Sequence, residues 1–287
     1  MFKLSLFFVA ANIISEMNIH PTAIIDKEVI LGDNIAIGAY CVIRGRVEIG
    51  DGCILKDHVV LYGPLKLGKG NVIHPGAVVG NINQDLKYKG EPSEVIIGDN
   101  NSIREYVTIQ QGTIANEGKT IIGNNNLIMA YSHVAHDCML GNNIIIANGT
   151  QFAGHIIIKD FAYIGGLVGV HQFVTIGRNC FIGFMSRVNR DVPPFVIMEG
   201  NPSRERSINT EGLKRKNFSQ ADISLLRKAF IILFVDEIPR QEKIRLLREG
   251  EFEGNAYIRE LIESIESSAA GKNGRALEAL RTDIKRT

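Results

Sequence analysis

Tryptophan is absent from the 287 residues, which hold only eight prolines and four cysteines. Cys41, Cys53, Cys138 and Cys180 include no CxxC pair. That excludes a zinc ribbon and a dense disulfide framework. An excess of charge is missing too: 32 Lys and Arg face 31 Asp and Glu, a net of +1. A near-neutral chain has no electrostatic footprint for nucleic acid, so no nucleic-acid partner is predicted. No apolar run is long enough to cross a bilayer, which predicts no stable membrane insertion. The one short stretch, Leu4 to Ala11, belongs to an extension over residues 1–16. It reads either as a weak signal or transit peptide or as the product of an upstream start codon before Met17. P-loop, nucleotide-fingerprint and G-x-S-x-G elbow patterns are also missing.

Glycine, by contrast, is abundant at 29 residues, and the chain repeats itself. From Ile19 an aliphatic residue stands at every sixth position, eleven in succession, through Ile25, Leu31, Ile37 and onward to Val79. The phase returns at Ile97, Ile103 and Ile109, then resumes shifted by one from Ile122 to Val188. With the aliphatic position written i, Gly follows at i+1 eleven times, as at Gly32, Gly50 and Gly183. A fixed glycine phase predicts a turn in a conformation that a Cβ would oppose. Position i+4 is often small or β-branched. Two inward positions and a turn per six residues mark a hexapeptide parallel β-helix. Three such units close a triangular coil of about 18 residues, and adjacent coils pair at ~4.8 Å.

The phase also sorts the reactive residues. All four cysteines fall at i+4, which predicts buried, small, apolar fillers with no redox or metal role. None of the seven histidines falls at i or i+4, so all are predicted to face outward. Two interruptions, Gly80 to Ile96 and Gln110 to Ile121, are predicted loops, and loops on a rigid solenoid often carry binding residues. The repeat ends after Val188. The predicted domains are a β-helix over 17–197 and a small helical domain over 198–287 with a loose tail. Ser219 and Asp222 make a capping box, followed by Ile223, Leu226, Phe230 and Leu233 at helical spacing. Pro239 is predicted to stop that helix, with further helices over 240–249 and 255–268.

Outward polar residues concentrate between Ser132 and Gln172: His133, His136, Asp137, His155, His171 and Gln172. His136 and His155 are 19 apart, one coil plus one residue, and so should lie on one side of neighbouring coils. Asp137 follows His136, and a carboxylate beside an imidazole fixes its tautomer and raises its basicity. Gly154 precedes His155 at a corner, where a backbone N–H could face a developing oxyanion. Base, carboxylate and oxyanion donor are the parts needed for acyl transfer to a hydroxyl. Two other readings stand beside this one: solvated histidines on a structural solenoid, and a zinc site ligated from adjacent coils.

Five segments carry a resemblance that generic hexapeptides would not. They are His133-Val-Ala-His136-Asp137-Cys138, Ala153-Gly154-His155, Val170-His171-Gln172-Phe173, Asn83-Gln-Asp85-Leu-Lys87-Tyr88 and Glu211-Gly-Leu-Lys214-Arg215. Taken in chain order, these segments resemble the acyl-[acyl-carrier-protein]–UDP-N-acetylglucosamine O-acyltransferases, which open lipid A biosynthesis. The resemblance runs from about Met17 to about Ser268. It implies a cytoplasmic homotrimer of left-handed β-helices, without cofactor or metal, with active sites in clefts between subunits. It implies that acyl carrier protein donates an R-3-hydroxyacyl chain to the sugar 3-hydroxyl. His136 would be the general base, Asp137 its orienting carboxylate and Gly154 the oxyanion donor. Asp85, Lys87, His133, His155 and Gln172 would contact the sugar, acyl chain or thioester arm. Asn209, Glu211 and Arg215 would hold the uridine and diphosphate. Departures fall at Gln110-Gln111, where the family often has a His and a basic residue, and at Lys216, often Arg. Phe184, at i+2 after Ile182, stands where members that take long chains often have Gly. It predicts a preference for acyl chains of about 10–12 carbons, because an overfilled slot costs ~1–3 kcal/mol. The alternatives are a related hexapeptide acyltransferase with another sugar nucleotide or a coenzyme A donor, and a trimeric metal-dependent hydratase.

Overall fold

The computed structural model describes residues 18–114 and 117–280. The extension at 1–16 lies outside the described residues. From Asn18 onward the chain winds as a triangular prism. Its three walls are an 11-stranded sheet A, a nine-stranded sheet B and an eight-stranded sheet C. Most strands are two residues long and pair in parallel with the strand one coil away. Leu127 pairs with Ile145 and Ile145 with Tyr163, an 18-residue rise per coil.

The period-six aliphatics fill the prism. Ile43, Leu61, Ile73, Ile103, Ile146 and Ile164 have no exposure. Each such side chain contributes about 1.5–3 kcal/mol relative to being exposed. Position i+4 lies inside as well, and all four cysteines are enclosed. Burial pushes the Cys138 and Cys180 thiols up to about 12. Three i+4 positions carry buried asparagines instead, Asn71, Asn101 and Asn126. They are satisfied by one another: Asn101 Nδ2 donates to Asn71 Oδ1 at 3.0 Å, and the Asn126 N–H donates to Asn101 Oδ1 at 2.9 Å.

The glycine phase has a different cause from the one its regularity implies. The i+1 glycines, Gly80 excepted, lie outside the left-handed region. They are needed for close approach instead: a Cβ at Gly50 would lie 2.8 Å from the carbonyl carbon of Gly68 in the next coil. Where a corner has a left-handed residue it is usually i+3, and it is often not glycine. Asn34, Asn100, Asn125, Asn143 and Asn179 take this conformation at the corner from sheet C to sheet A. Tyr40, His58, Tyr106, Tyr131, Leu167 and Met185 take it at the corner from A to B. Asp137, His155 and Phe173 take it at the corner from B to C.

The expected end of the β-helix also differs. Val196–Gly200 joins sheet A in parallel beside Phe181–Ile182, and Ser203–Ile208 turns back on it antiparallel. Helices therefore begin only at α1 (Thr210–Arg215), followed by α2 (Gln220–Phe234), α3 (Arg240–Leu246) and α4 (Ala256–Ala270). Ser219 caps α2 by accepting from the Asp222 N–H at 3.0 Å. Pro239 does not end α2, which stops at Phe234, but stands as the cap residue of α3. The tail is not loose through Leu280. Asp191 holds it, accepting from the Ala276 N–H at 2.8 Å, while Arg275 pairs with Glu278 and donates to the Asn189 carbonyl. Residues 281–287 lie outside the described residues.

Candidate active site

Both loops leave the prism at one place. Residues 82–93 and 111–118 each connect sheet B to sheet C, so they stand at the B-to-C corner. The second loop is shorter than expected, since Gln110 and Lys119 belong to strands. One, two and three coils beyond the second loop along the same corner come His136-Asp137, then Gly154-His155, then Gln172-Phe173.

His136 and Asp137 are adjacent in sequence, yet their side chains meet. The left-handed backbone at Asp137 (φ 61°) turns its carboxylate back under the imidazole. His136 Nδ1–H donates to Asp137 Oδ2 at 2.7 Å. This bond fixes the tautomer that leaves Nε2 free to accept a proton. The carboxylate is fully enclosed, whereas the His136 side chain keeps 15% of its exposure. His155 Nε2 lies 3.5 Å from the same Oδ2. The two imidazoles meet edge to face with centroids 5.1 Å apart, and His155 stacks on Phe173 at 4.6 Å. Gly154 makes this packing possible. A Cβ there would lie against the His136 ring, 2.7 Å from Nε2.

Beside this corner, sheet B bears an open groove of about 430 Å³. His133, Gln151, Gly169 and Arg187 stand in register along its floor. His133 Nδ1 lies 2.7 Å from Thr108 Oγ1, and burial, with His136 nearby, holds its pKa below the usual imidazole range. Gln172 is half-buried at the corner. All seven histidines lie outside the prism core, and none is fully buried. Asp85 organises the first loop, accepting from the Lys87 N–H at 3.0 Å. Asn83 Nδ2 ties that loop to the second by donating to the Gly112 carbonyl at 3.0 Å.

The other expected residues lie elsewhere on the subunit. Asn209 caps α1, accepting from the Gly212 N–H at 3.1 Å, and its Nδ2 donates to the Asn179 carbonyl at 2.9 Å. Glu211 and Arg215 are exposed on α1, and Glu211 pairs with Lys214. Asn179 belongs to the C-to-A corner, so this group is not brought to His136 within one subunit. Phe184 faces outward, 63% exposed, as expected. It does not stand on the His136 corner but on the A-to-B corner, beside Gly166. The departures have structural roles. Gln110 and Gln111 are buried, with Gln110 Oε1 accepting from the Gln84 N–H and Gln111 Oε1 accepting from Ser93 Oγ. Lys216 Nζ lies 4.1 Å over the Phe161 ring. His136, Asp137 and His155 also bring potential metal-ligand atoms within 4.8 Å of one another.

The repeats match the bacterial transferase hexapeptide family over residues 28–63 and 119–154. Residues 191–273 match the second domain of UDP-N-acetylglucosamine O-acyltransferases. An acyl-[acyl-carrier-protein]–UDP-N-acetylglucosamine O-acyltransferase of Aliarcobacter butzleri is 48% identical over 254 residues, 88% of this chain and 97% of the relative. The chain belongs to this O-acyltransferase family. A second family member, from Herminiimonas arsenicoxydans, is 46% identical over 88% of this chain and 98% of its own length. Among solved O-acyltransferase structures, that of Bacteroides fragilis superposes with a TM-score of 0.84 at 39% identity, covering 86% of this chain and 96% of that one. That of Francisella novicida also gives 0.84, at 34% identity, covering 94% and 100%. The prism is the left-handed β-helix of these hexapeptide enzymes.

Within this O-acyltransferase corner, two residues escaped the sequence reading, Thr113 and Thr120. The Thr113 N–H donates to Asp137 Oδ1 at 2.7 Å and its Oγ1 donates to Oδ2 at 2.6 Å. Thr120 Oγ1 accepts from the Asp137 N–H at 3.0 Å. Thr113 lies in the second interruption of the repeat, which is the one signal that singled out its segment. Among the described residues, no helix is long and apolar enough to cross a membrane.

Proposed function

We propose that this protein transfers an R-3-hydroxyacyl chain from acyl carrier protein to the 3-hydroxyl of UDP-N-acetylglucosamine, the first step of lipid A biosynthesis. The observation that carries the reading is the His136–Asp137 pair at 2.7 Å, packed over Gly154. His136 Nε2 takes the proton of the sugar hydroxyl as its oxygen attacks the thioester carbonyl. Asp137 holds the imidazole in position and stabilises the imidazolium. The Gly154 N–H donates to the oxyanion of the tetrahedral intermediate. On collapse the C–S bond breaks, the ester C–O bond remains, and His136 returns the proton to the departing thiol.

Asp85, Lys87, His133, His155 and Gln172 bind the sugar, acyl chain or thioester arm at this corner. Asn209, Glu211 and Arg215 hold the uridine and diphosphate. In one subunit that group is distant from His136, so a complete site needs a neighbouring copy, which supports a homotrimer with clefts between subunits. Phe184 would reach the acyl groove from such a neighbour and set its length. The reaction needs no cofactor or metal, and its carrier-protein donor is a cytoplasmic partner. Purified protein incubated with UDP-N-acetylglucosamine and a panel of hydroxyacyl carrier proteins tests this by mass spectrometry of the sugar nucleotide. A product bearing one hydroxyacyl ester is expected. Acylation only of a different sugar nucleotide, or only from coenzyme A, would refute the substrate assignment.

A further inference from the structure

Asp137 is a wholly enclosed carboxylate, and an enclosed carboxylate stays ionised only if donors replace its water. One residue supplies two of them. The backbone N–H of Thr113 takes Oδ1 and its hydroxyl takes Oδ2, so both oxygens are pinned by a single residue. Oδ2 is also the oxygen that holds His136 Nδ1 and lies 3.5 Å from His155 Nε2. Thr113 is itself buried and held on both sides. Its carbonyl accepts from the Gly118 N–H at 2.9 Å, closing the second loop. Just before it, the Gly112 carbonyl accepts from Asn83, and the Gln111 N–H donates to the Asn81 carbonyl at 3.0 Å. The first loop, which carries Asp85 and Lys87, is thereby joined to the carboxylate through residues 111–113.

We infer that Thr113 is a positioning residue for the acyl transfer, aiming the Asp137 carboxylate at His136 Nδ1 through its hydroxyl. The inference rests on the assignment of His136 as general base. A carboxylate turns easily about its last torsion, which is broad. Removing the hydroxyl takes away the bond to Oδ2, the oxygen that meets His136 Nδ1, and leaves the Thr113 N–H on Oδ1. Withdrawing a donor also leaves more negative charge on Oδ2, which favours the His136 imidazolium. Loss of the hydroxyl therefore lowers turnover and displaces the pH at which the base becomes protonated, upward where Oδ2 keeps its contact with Nδ1 and downward where the carboxylate turns away. The titratable groups facing His136 are Asp137, His155 and His133. The neighbouring Cys138 thiol, at about 12, is silent below neutrality.

The decisive variant is Thr113→Val, which keeps the shape and the backbone donor and removes only the hydroxyl. Steady-state kinetics of the full chain are measured across pH with UDP-N-acetylglucosamine and hydroxyacyl carrier protein. The expected result is a fall in kcat of roughly 10-fold or more, a nearly unchanged KM for the sugar nucleotide, and an acidic limb displaced from its wild-type position. Thr113→Ser should restore both kcat and the limb. Thr113→Ala gives the same comparison if the valine variant does not fold. A residue that merely stiffens the loop would lower thermal stability and leave the acidic limb in place. Wild-type kcat in the valine or alanine variant, or a serine variant as impaired as they are, would overturn the inference. His136→Ala is assayed alongside. Turnover in that variant would remove the base assignment, whereas its loss beside a fully active Thr113→Val would remove the positioning role alone.

Discussion

Two edges of one prism, built from the same six-residue unit, have opposite characters. At the C-to-A corner the left-handed position is held by Asn34, Gly52, Gly70, Asn100, Asn125, Asn143 and Asn179, residue types that adopt it readily, with Phe161 as the exception. At the B-to-C corner it is held by Asp137 and His155, polar types that tolerate it, and by Phe173, for which it costs on the order of 1–3 kcal/mol. The difference is made up by contacts along the edge: Phe173 stacks under His155, and Asp137 accepts from Thr113 and His136. Both loops leave at this second edge and none of the described chain leaves comparably at the first. A repetitive scaffold thus concentrates insertions and reactive groups on one edge and keeps another as plain architecture.

The sharpest way to break that contrast is His136→Ala. It should reduce kcat/KM by ~10²–10⁴-fold while thermal melting stays close to wild type, because the side chain lies outside the core. A folded variant with near-normal turnover would make the B-to-C corner as passive as the other. Gly154→Ala comes next. Its Cβ would push into the His136 ring, and a displaced base should cost about 10²-fold in rate. Kinetics of this variant beside its thermal melting show whether the close approach matters for the chemistry or only for folding.

The third edge enters through Phe184. The wild type should prefer hydroxyacyl chains of about 10–12 carbons over 14 by roughly 5- to 150-fold, and Phe184→Gly should shift the profile toward longer chains. An unchanged profile by mass spectrometry would release Phe184 from this role. Inside the prism, Cys180→Ala should leave the chemistry intact and cost about 1–2 kcal/mol in denaturant unfolding. Thiol-blocking reagents should likewise leave the folded enzyme active, because burial holds that thiol at about 12. The smallest effect concerns pH. Burial lowers the His133 pKa below its unfolded value near 6.5, so stability is complete above that pH and declines as pH falls through it. His133→Gln should flatten the fall in melting temperature between pH 7 and 5 by under about 2 °C. A slope identical to wild type would mean that His133 is not the titrating group, leaving His74, whose pKa burial also lowers.

Much of this was legible before any coordinates. Ile19 through Val79 announce the coil, Cys41 to Cys180 declare themselves interior, and the 19-residue spacing of His136 and His155 puts them on one edge. What escaped had a common cause. Thr113 carries no repeat phase, because it sits in a loop whose path depends on Gly112, Gly118 and the buried Gln111. The antiparallel Ser203–Ile208 has no six-residue period to extend. The anchoring of the segment after Gly271 carries no local signal, because its partner Asp191 lies 85 residues away from Ala276.

The sequence alone determined the period, the inward residues and therefore the solenoid, because burying an aliphatic at every sixth position leaves the chain one compact path. It also determined which residues face outward, since a fixed phase allots each position one side. Only the tertiary structure decided which corner each outward residue occupies. It alone revealed that glycine serves close approach between coils, and that Thr113 and Asp137, 24 residues apart, meet at 2.6 Å. Those facts depend on how successive coils stack and where two loops leave them, and the spacing of the repeat holds no information about either.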